Sequence, residues 1–484
     1  MNRGRNTAIM AAVAAAFGAY LFFVERHREA PPAEPAESAR SKVFGTIDAA
    51  KIEELQIASS AGETTALRKV DKVWQLTAPI AGPADQTEAA NAASNLASAD
   101  VQRVIDEKPG DLAPYGLATP RVTITFHLAG DKTPRVLLLG DKNPAGSDLY
   151  AKLPDAPRVF LVSAYLEGAF DKGVFGFRDK RVLTFDREKI DRLDVAAGAA
   201  KATVARQGDT WSVTAPVNAR ADFGVIESVL SRLANGQMKA ITWDPDAPAK
   251  PSVTAGGKPP TAAATRHSLK DYGLDPAEHR LTLGAGSTVA EILLGKATPE
   301  GDVYAKDASR SMVFTIEKAL ADDLTRSPTD FRSKDIFGFR AFTGTRLEVV
   351  RAGKTLAFER KKGAEKDASL KWVAVPPTPA ADEATIEDLV SKVATLRAES
   401  FADALPAGAA EFARINTAFD EGRKHDAVVI HQAGPDYYAV RDGDAGVAKL
   451  VSPAVGDVVS ALDATQKPAA PPKPDAAKSD APRK

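Results

Sequence analysis

The chain has 484 residues, of which 44% are hydrophobic and 26% charged: ordinary globular material, and more of it than one core usually covers. Lys+Arg total 63 and Asp+Glu 64, a formal charge of -1, so there is no basic surplus from which to expect a nucleic-acid partner. The absence of cysteine excludes disulfides, zinc–thiolate and iron–sulfur sites, thiol catalysis and a lipid-modified N-terminal cysteine.

Residues 1–6 include Arg3 and Arg5 and are expected in the cytoplasm. Residues 7–24 then run without a charge and, at about 1.5 Å per residue, are just long enough to cross a hydrocarbon core about 30 Å thick. A cleavable signal peptide is the competing reading. Against it, the apolar run ends in bulky Tyr20, Leu21, Phe22, Phe23 and Val24, and the charged cluster from Glu25 to Glu29 follows at once. The expectation is an uncleaved inner-membrane anchor with the body in the periplasm. Residues 25–41 form a flexible spacer rich in Pro, Ala and Glu.

Beyond residue 42 the chain resembles itself. Trp74, Trp211 and Trp372 are each followed by a proline (Pro79, Pro216, Pro377) and then an aspartate (Asp85, Asp222, Asp382) that opens a helical pattern. Val225, Ile226, Val229, Leu230 and Leu233 fall on one face in the second copy. Ile386, Leu389, Val390, Val393 and Leu396 do so in the third. Asp85 with Glu88 reads as a capping box. Tyr115-Gly116-Leu117 returns as Tyr272-Gly273-Leu274, Tyr150-Ala151-Lys152 as Tyr304-Ala305-Lys306, and Phe177-Arg178-Asp179-Lys180 as Phe331-Arg332-Ser333-Lys334, all at nearly one offset. Alternation at Val122, Ile124, Phe126 and Leu128 predicts a strand. Gly130-Asp131-Lys132, Gly140-Asp141-Lys142 and Gly284-Ala285-Gly286-Ser287 read as hairpin turns, and residues 164–170 as a short closing helix.

The expected fold class is therefore α+β: an N-terminal transmembrane helix followed by three tandem repeats of a module made of an antiparallel sheet and a helix. The repeats are placed at 42–179, 180–333 (with a flexible insertion at 245–266) and 334–465, and a Pro/Lys/Ala tail at 466–484. Lys42 is matched to Lys180 and Lys334. The third repeat is degenerate, lacking Tyr-Gly-Leu.

Trp74, Trp211 and Trp372 are expected as core anchors rather than stacking platforms. Tyr115 and Tyr272 belong with them, and Gly116 and Gly273 supply positive φ. Arg178, Lys180, Arg332 and Lys334 stand where one module hands over to the next, and are expected to set the orientation of neighbouring modules. The six histidines form no ligand cluster, and neither a nucleophile elbow nor a phosphate loop is present, so no metal, cofactor or catalytic residue is expected.

The tryptophan–proline–aspartate series, with Tyr115-Gly116-Leu117, Pro120 and Phe177-Arg178-Asp179-Lys180 followed by Val182 and Leu183, resembles the bacterial domain family of unknown function DUF4340. That resemblance covers residues 42–463 and implies a membrane-anchored envelope protein associated with a gliding-type ABC transport system. It carries no catalytic residue. The expected function is a non-enzymatic extracytoplasmic accessory or binding protein with a protein partner in a membrane transport complex. A structural or adhesive envelope scaffold and a hydrolase of envelope glycans or peptides are the alternatives.

Overall fold

The computed structural model describes residues 41–208, 210–247, 267–362 and 370–467. The expected anchor, nearly all of the spacer, and most of the insertion and the tail lie outside them. No helix among the described residues is long and apolar enough to cross a membrane. The chain divides at Asp179/Lys180 into two compact units. The fold is α+β, mostly antiparallel strand with few helices, and the strands form three sheets.

The first unit holds β1 (Ile52–Ala58), β2 (Thr64–Val70), β3 (Val73–Ala78), β4 (Gly82–Pro83), helix α1 (Gln86–Ser98), β5 (Arg103–Asp106), β6 (Val122–Leu128), β7 (Arg135–Lys142), β8 (Asp148–Lys152) and β9 (Val159–Ser163). Two short helices, α2 (Tyr165–Phe170) and α3 (Gly173–Phe177), close it. The strand order is β4-β3-β2-β1-β6-β7-β8-β9-β5. Asp71 and Lys72, both at positive φ, turn β2 into β3, the conformation a two-residue hairpin needs to match strand twist. The buried face of α1 is Ala89, Ala92, Ala93 and Leu96, which share one core with Leu55, Ile57, Ile124 and Phe126 of the sheet.

The second unit repeats this plan twice. Its first half has β10 (Arg192–Ala197), β11 (Ala200–Gln207), β12 (Thr210–Ala215), β13 (Ala219–Arg220), α4 (Phe223–Asn235) and β14 (Ala240–Trp243). It continues with β15 (His279–Ala285), β16 (Thr288–Ala297), β17 (Val303–Asp307), β18 (Val313–Ile316) and α5 (Lys318–Leu324). The order β13-β12-β11-β10-β15-β16-β17-β18-β14 matches the first sheet strand for strand. Gly286, at φ +61, and Ser287 make the expected two-residue turn between β15 and β16. Of the predicted face of α4, Ile226, Val229, Leu230 and Leu233 are buried and Val225 only half-buried.

The second half has β19 (Gly344–Arg351), β20 (Lys354–Lys362), β21 (Leu370–Val375), α6 (Glu383–Ala394), β22 (Ala398–Ala402), β23 (Ala410–Phe419), β24 (Lys424–Ala433), β25 (Asp436–Arg441), β26 (Val447–Leu450) and α7 (Ser452–Ala464). Among the described residues its order, β21-β20-β19-β23-β24-β25-β26-β22, lacks only a counterpart of β4 and β13. This repeat is degenerate in its motifs and nearly complete in its sheet. What survives there is the alternation of buried side chains, which is what a sheet requires.

Two local expectations fail. Gly140-Asp141-Lys142 is no turn: it ends strand β7. A Cβ on Gly140 would lie 2.1 Å from the Tyr115 carbonyl oxygen, so the glycine is there for a close backbone crossing. Gly295 meets the Tyr272 carbonyl at the same 2.1 Å. The capping box also fails in its second arm. The Asp85 carboxylate accepts from the amides of Thr87 and Glu88, but the Asp85 amide donates to the Phe177 carbonyl, and Glu88 pairs instead with Lys172.

Candidate interaction surface

The three tryptophans lie inside, Trp74 and Trp372 nearly fully and Trp211 8% exposed. Asp222 and Asp382 cap their helices like Asp85, accepting from the amides of Val225 and Thr385. Hydrogen bonds from the Thr385 amide and hydroxyl hold the Asp382 carboxyl below the ordinary carboxylate range. Gly116 and Gly273 adopt φ +65 and +70, and Leu117 and Leu274 turn inward. Tyr115 packs edge-on against Tyr150, and Tyr272 against Tyr304, with centroids 5.1 and 5.0 Å apart. The two Tyr-X-Leu and Tyr-Ala-Lys motifs therefore meet in each of the first two modules. The lysines of the latter tie down the loop that follows: Lys152 donates to the Leu153 carbonyl and Lys306 to that of Asp307.

The Phe-Arg motif closes its own module. In the first unit Arg178 is extended (φ −80, ψ 146) and bridges Ala84 in antiparallel register. The Asp85 amide donates to the Phe177 carbonyl at 2.9 Å, and the Asp179 amide to the Pro83 carbonyl at 3.1 Å. In the second unit Arg332 (φ −80, ψ 137) bridges Ala221; the Asp222 amide donates to Phe331 at 2.8 Å and the Ser333 amide to Arg220 at 2.9 Å. The start of each module is paired just beyond its helix. Lys42 bridges Asp100, Arg181 bridges Gln237 and Asp335 bridges Arg397. The carbonyls of Ser41, Lys180 and Lys334 accept from Val101, Met238 and Ala398. Ser41, not Lys42, is thus the counterpart of Lys180 and Lys334, because backbone pairing and not residue type sets the register.

Within the second unit Arg332 crosses from one sheet's module to the other. Its Nη2 donates to the Ala445 carbonyl at 2.8 Å, and its guanidinium lies 4.0 Å from the Phe401 ring centroid. A larger cluster beside it is invisible in the repeat pattern. The Arg220 amide donates to Asp444 Oδ1 at 3.0 Å and its Nε to Oδ2 at 3.3 Å, while Nη2 donates to the Asp335 and Ile336 carbonyls at 2.5 and 2.9 Å. Asp444 also faces Arg441 Nη1 at 3.5 Å. Arg441 pairs with Asp426, whose other oxygen accepts from the Gly338 amide at 2.6 Å. Burial pushes the Arg220 guanidinium below its ordinary range and the neighbouring Arg441 adds to this, against the opposing pull of Asp444 and Asp426. Pro83 and Ala380 occupy the same place relative to the capping aspartates of the other modules, so no self-comparison could single out Arg220.

An open cleft of about 470 Å³ borders this cluster, lined among others by Trp211, Phe223, Phe337 and Arg340. Phe223 is 61% exposed at its rim. A second cleft of about 600 Å³ lies between α4 and α5, lined by Ser228, Ser231, Asn235, Gln237 and Glu317. Among the described residues no three His, Asp or Glu side chains are grouped to hold a metal ion.

A family model described as "Domain of unknown function (DUF4340)" matches residues 74–250 and again 211–413. The two matches begin at Trp74 and Trp211, the residues that open the repeated series. No curated protein and no solved structure matched the chain.

Proposed function

The chain belongs to the DUF4340 family, and from that premise we propose that it is a non-enzymatic accessory protein, anchored in the inner membrane by residues 7–24, whose modules bind a protein partner of an ABC-type transport system in the periplasm. The observation that carries this reading is the repeated sheet module, two copies of which are joined in one unit by the Arg220–Asp444 cluster and Arg332. Such a build supplies spaced surfaces for a partner instead of one convergent pocket. The uncharged stretch 7–24 behind Arg3 and Arg5 supports the anchor and its orientation.

The test is affinity purification of the full chain from detergent-solubilised native membranes, beside a chain lacking residues 1–41. Transporter subunits recovered with the full chain are the expected result. Recovery of cell-wall components alone would replace this reading with an envelope scaffold, for which the Lys- and Pro-rich segment 466–484 is the observation in favour.

A further inference from the structure

We propose that the second module carries a binding place for a primary carboxamide, which a glutamine side chain of a partner protein fills. The inference deepens the accessory reading above, on which it rests, by naming a group that the partner presents. The first module shows how the place is filled when the chain supplies the amide itself. Gln86, the first residue of α1, reaches back to the edge of β3. Its Oε1 accepts from the Trp74 amide at 2.9 Å, and its Nε2 donates to the Trp74 carbonyl at 2.8 Å and to the Ala84 carbonyl at 2.9 Å.

The second module keeps this backbone and changes the residue. Trp211, Ala221, Asp222 and Phe223 follow Trp74, Ala84, Asp85 and Gln86 at one constant offset. The Ala221 amide donates to the Trp211 carbonyl at 3.3 Å, as the Ala84 amide does to Trp74 at 3.4 Å. Phe223 opens α4 where Gln86 opens α1, but its ring has no group to bond the strand edge and stands 61% exposed. Trp211 lies opposite Arg206 of β11, whose own amide donates the other way, to the Asp191 carbonyl at 2.8 Å. The two are therefore a non-hydrogen-bonded pair, and the Trp211 amide faces away from β11. Among the described residues neither that amide nor the Ala221 carbonyl has a hydrogen-bond partner. Both residues line the open cleft of about 470 Å³, and Ala221 is half-buried where Ala84 is 3% exposed.

The open groups define what fits them. The Trp211 amide takes an acceptor, and the carbonyls of Trp211 and Ala221 together take two hydrogens from one nitrogen, as Gln86 Nε2 supplies in the first module. A carboxylate brings no hydrogen. A backbone peptide group or the acetamido group of an envelope sugar brings only one. A primary carboxamide answers all three, and glutamine is the side chain that does so in the first module. None of the residues lining the cleft is an asparagine or glutamine, so the group comes from outside it. Phe223 at the rim offers its exposed ring to the methylenes of the arriving side chain. Pairing the Trp211 amide also removes the cost of a backbone donor left without a partner.

The experiment uses the full chain in detergent, isotopically labelled at its tryptophan nitrogens. The sequence holds four tryptophans, so the backbone amides of Trp74 and Trp211 are read side by side by NMR. In the free chain the Trp211 amide should exchange about fivefold or more faster than that of Trp74, as the lack of one hydrogen bond requires. The probe is acetyl-Ala-Gln-Ala N-methylamide. It should shift the Trp211 signal saturably and slow its exchange, leaving Trp74 unmoved. Glutamate in place of the glutamine, or dimethylation of the side-chain nitrogen, should weaken binding about fivefold or more. Phe223→Gln, a change at an exposed position, supplies the carboxamide from within. It should slow Trp211 exchange to near that of Trp74 and abolish the response to the peptide. A Trp211 amide already as slow as Trp74 in the parent, no response to the peptide, or Phe223→Gln without effect would each overturn the proposal. So would an equal response to N-acetylglucosamine, which would make a glycan the occupant, or slowing that grows with protein concentration alone, which would make it a second copy. Failure to recover transporter subunits would leave these amide signals untouched, so the two readings fail separately.

Discussion

At the residue scale, the glycines show how a sequence position can be governed by backbone and not by side chain. Gly295 ends no turn and sits in the ten-residue strand β16, where a glycine ordinarily weakens the pairing. It is there because the Tyr272 carbonyl crosses where its Cβ would be. Gly140 repeats the arrangement under Tyr115. The clash is with backbone, which cannot rotate away as a flexible side chain would. Gly295→Ala should therefore destabilise the second unit by about 3 kcal/mol, near the upper end of overpacking effects, as measured by urea unfolding. A change below about 0.5 kcal/mol would mean that the crossing relaxes freely. The recurrence of a glycine after Leu139 and Leu294 was available in the sequence, but turn-forming residues beside it suggested a hairpin instead.

At the scale of elements, the capped helix is the most legible part of the molecule. Asp85, Asp222 and Asp382 all sit at the N-cap because a short carboxylate satisfies the orphan amides of the first turn better than water or an apolar side chain does. The Asp382 carboxyl titrates below its ordinary value of 3.8 because the Thr385 amide and hydroxyl favour its charged form. A group whose folded pKa is depressed contributes stability that is fully present above the unfolded value and is lost as pH falls through the folded one. The contribution of this cap should thus be complete above pH 3.8 and disappear below it. Asp382→Asn keeps a capping oxygen without the titration, so its stability relative to the parent should improve on acidification through that range. Parallel acid-unfolding curves for the two proteins check this, and curves with a constant separation would deny the cap a role in the pH response. The partner of the Asp85 amide was not legible. A residue far along the chain, Phe177, takes the hydrogen bond that local sequence assigns to Glu88.

At the scale of the whole molecule, three sheets share one strand plan while their motifs diverge. The second and third modules are joined by groups the repeats do not share. Arg220 gives two hydrogen bonds to Asp444 and two to backbone carbonyls of Asp335 and Ile336, in a place where its own charge is disfavoured by burial. Truncating Arg220 removes its Nε bond to Asp444 and leaves the Asp335 and Ile336 carbonyls without their guanidinium donor, so Arg220→Ala should cost about 3 kcal/mol in the unfolding of the second unit. The double variant with Asp444→Ala should cost less than the sum of the two single changes, by about 1–2 kcal/mol. Strict additivity in chemical denaturation would show that the pair does not couple the modules.

The number of modules, their α+β class, the helix caps, the buried tryptophans and the positive-φ glycines of Tyr-Gly-Leu were all set by the sequence alone. Each depends on neighbouring residues, on periodicity, or on the recurrence of a local pattern. Tertiary structure decided the rest: where Phe-Arg pairs, which residue matches Lys180, why Gly140 and Gly295 are glycines, and that Arg220 meets Asp444. These depend on backbone groups brought together from distant parts of the chain, and a backbone carbonyl or amide leaves no mark on residue type. Only the fold places the Tyr272 carbonyl over Gly295 or the Arg220 guanidinium against Asp444.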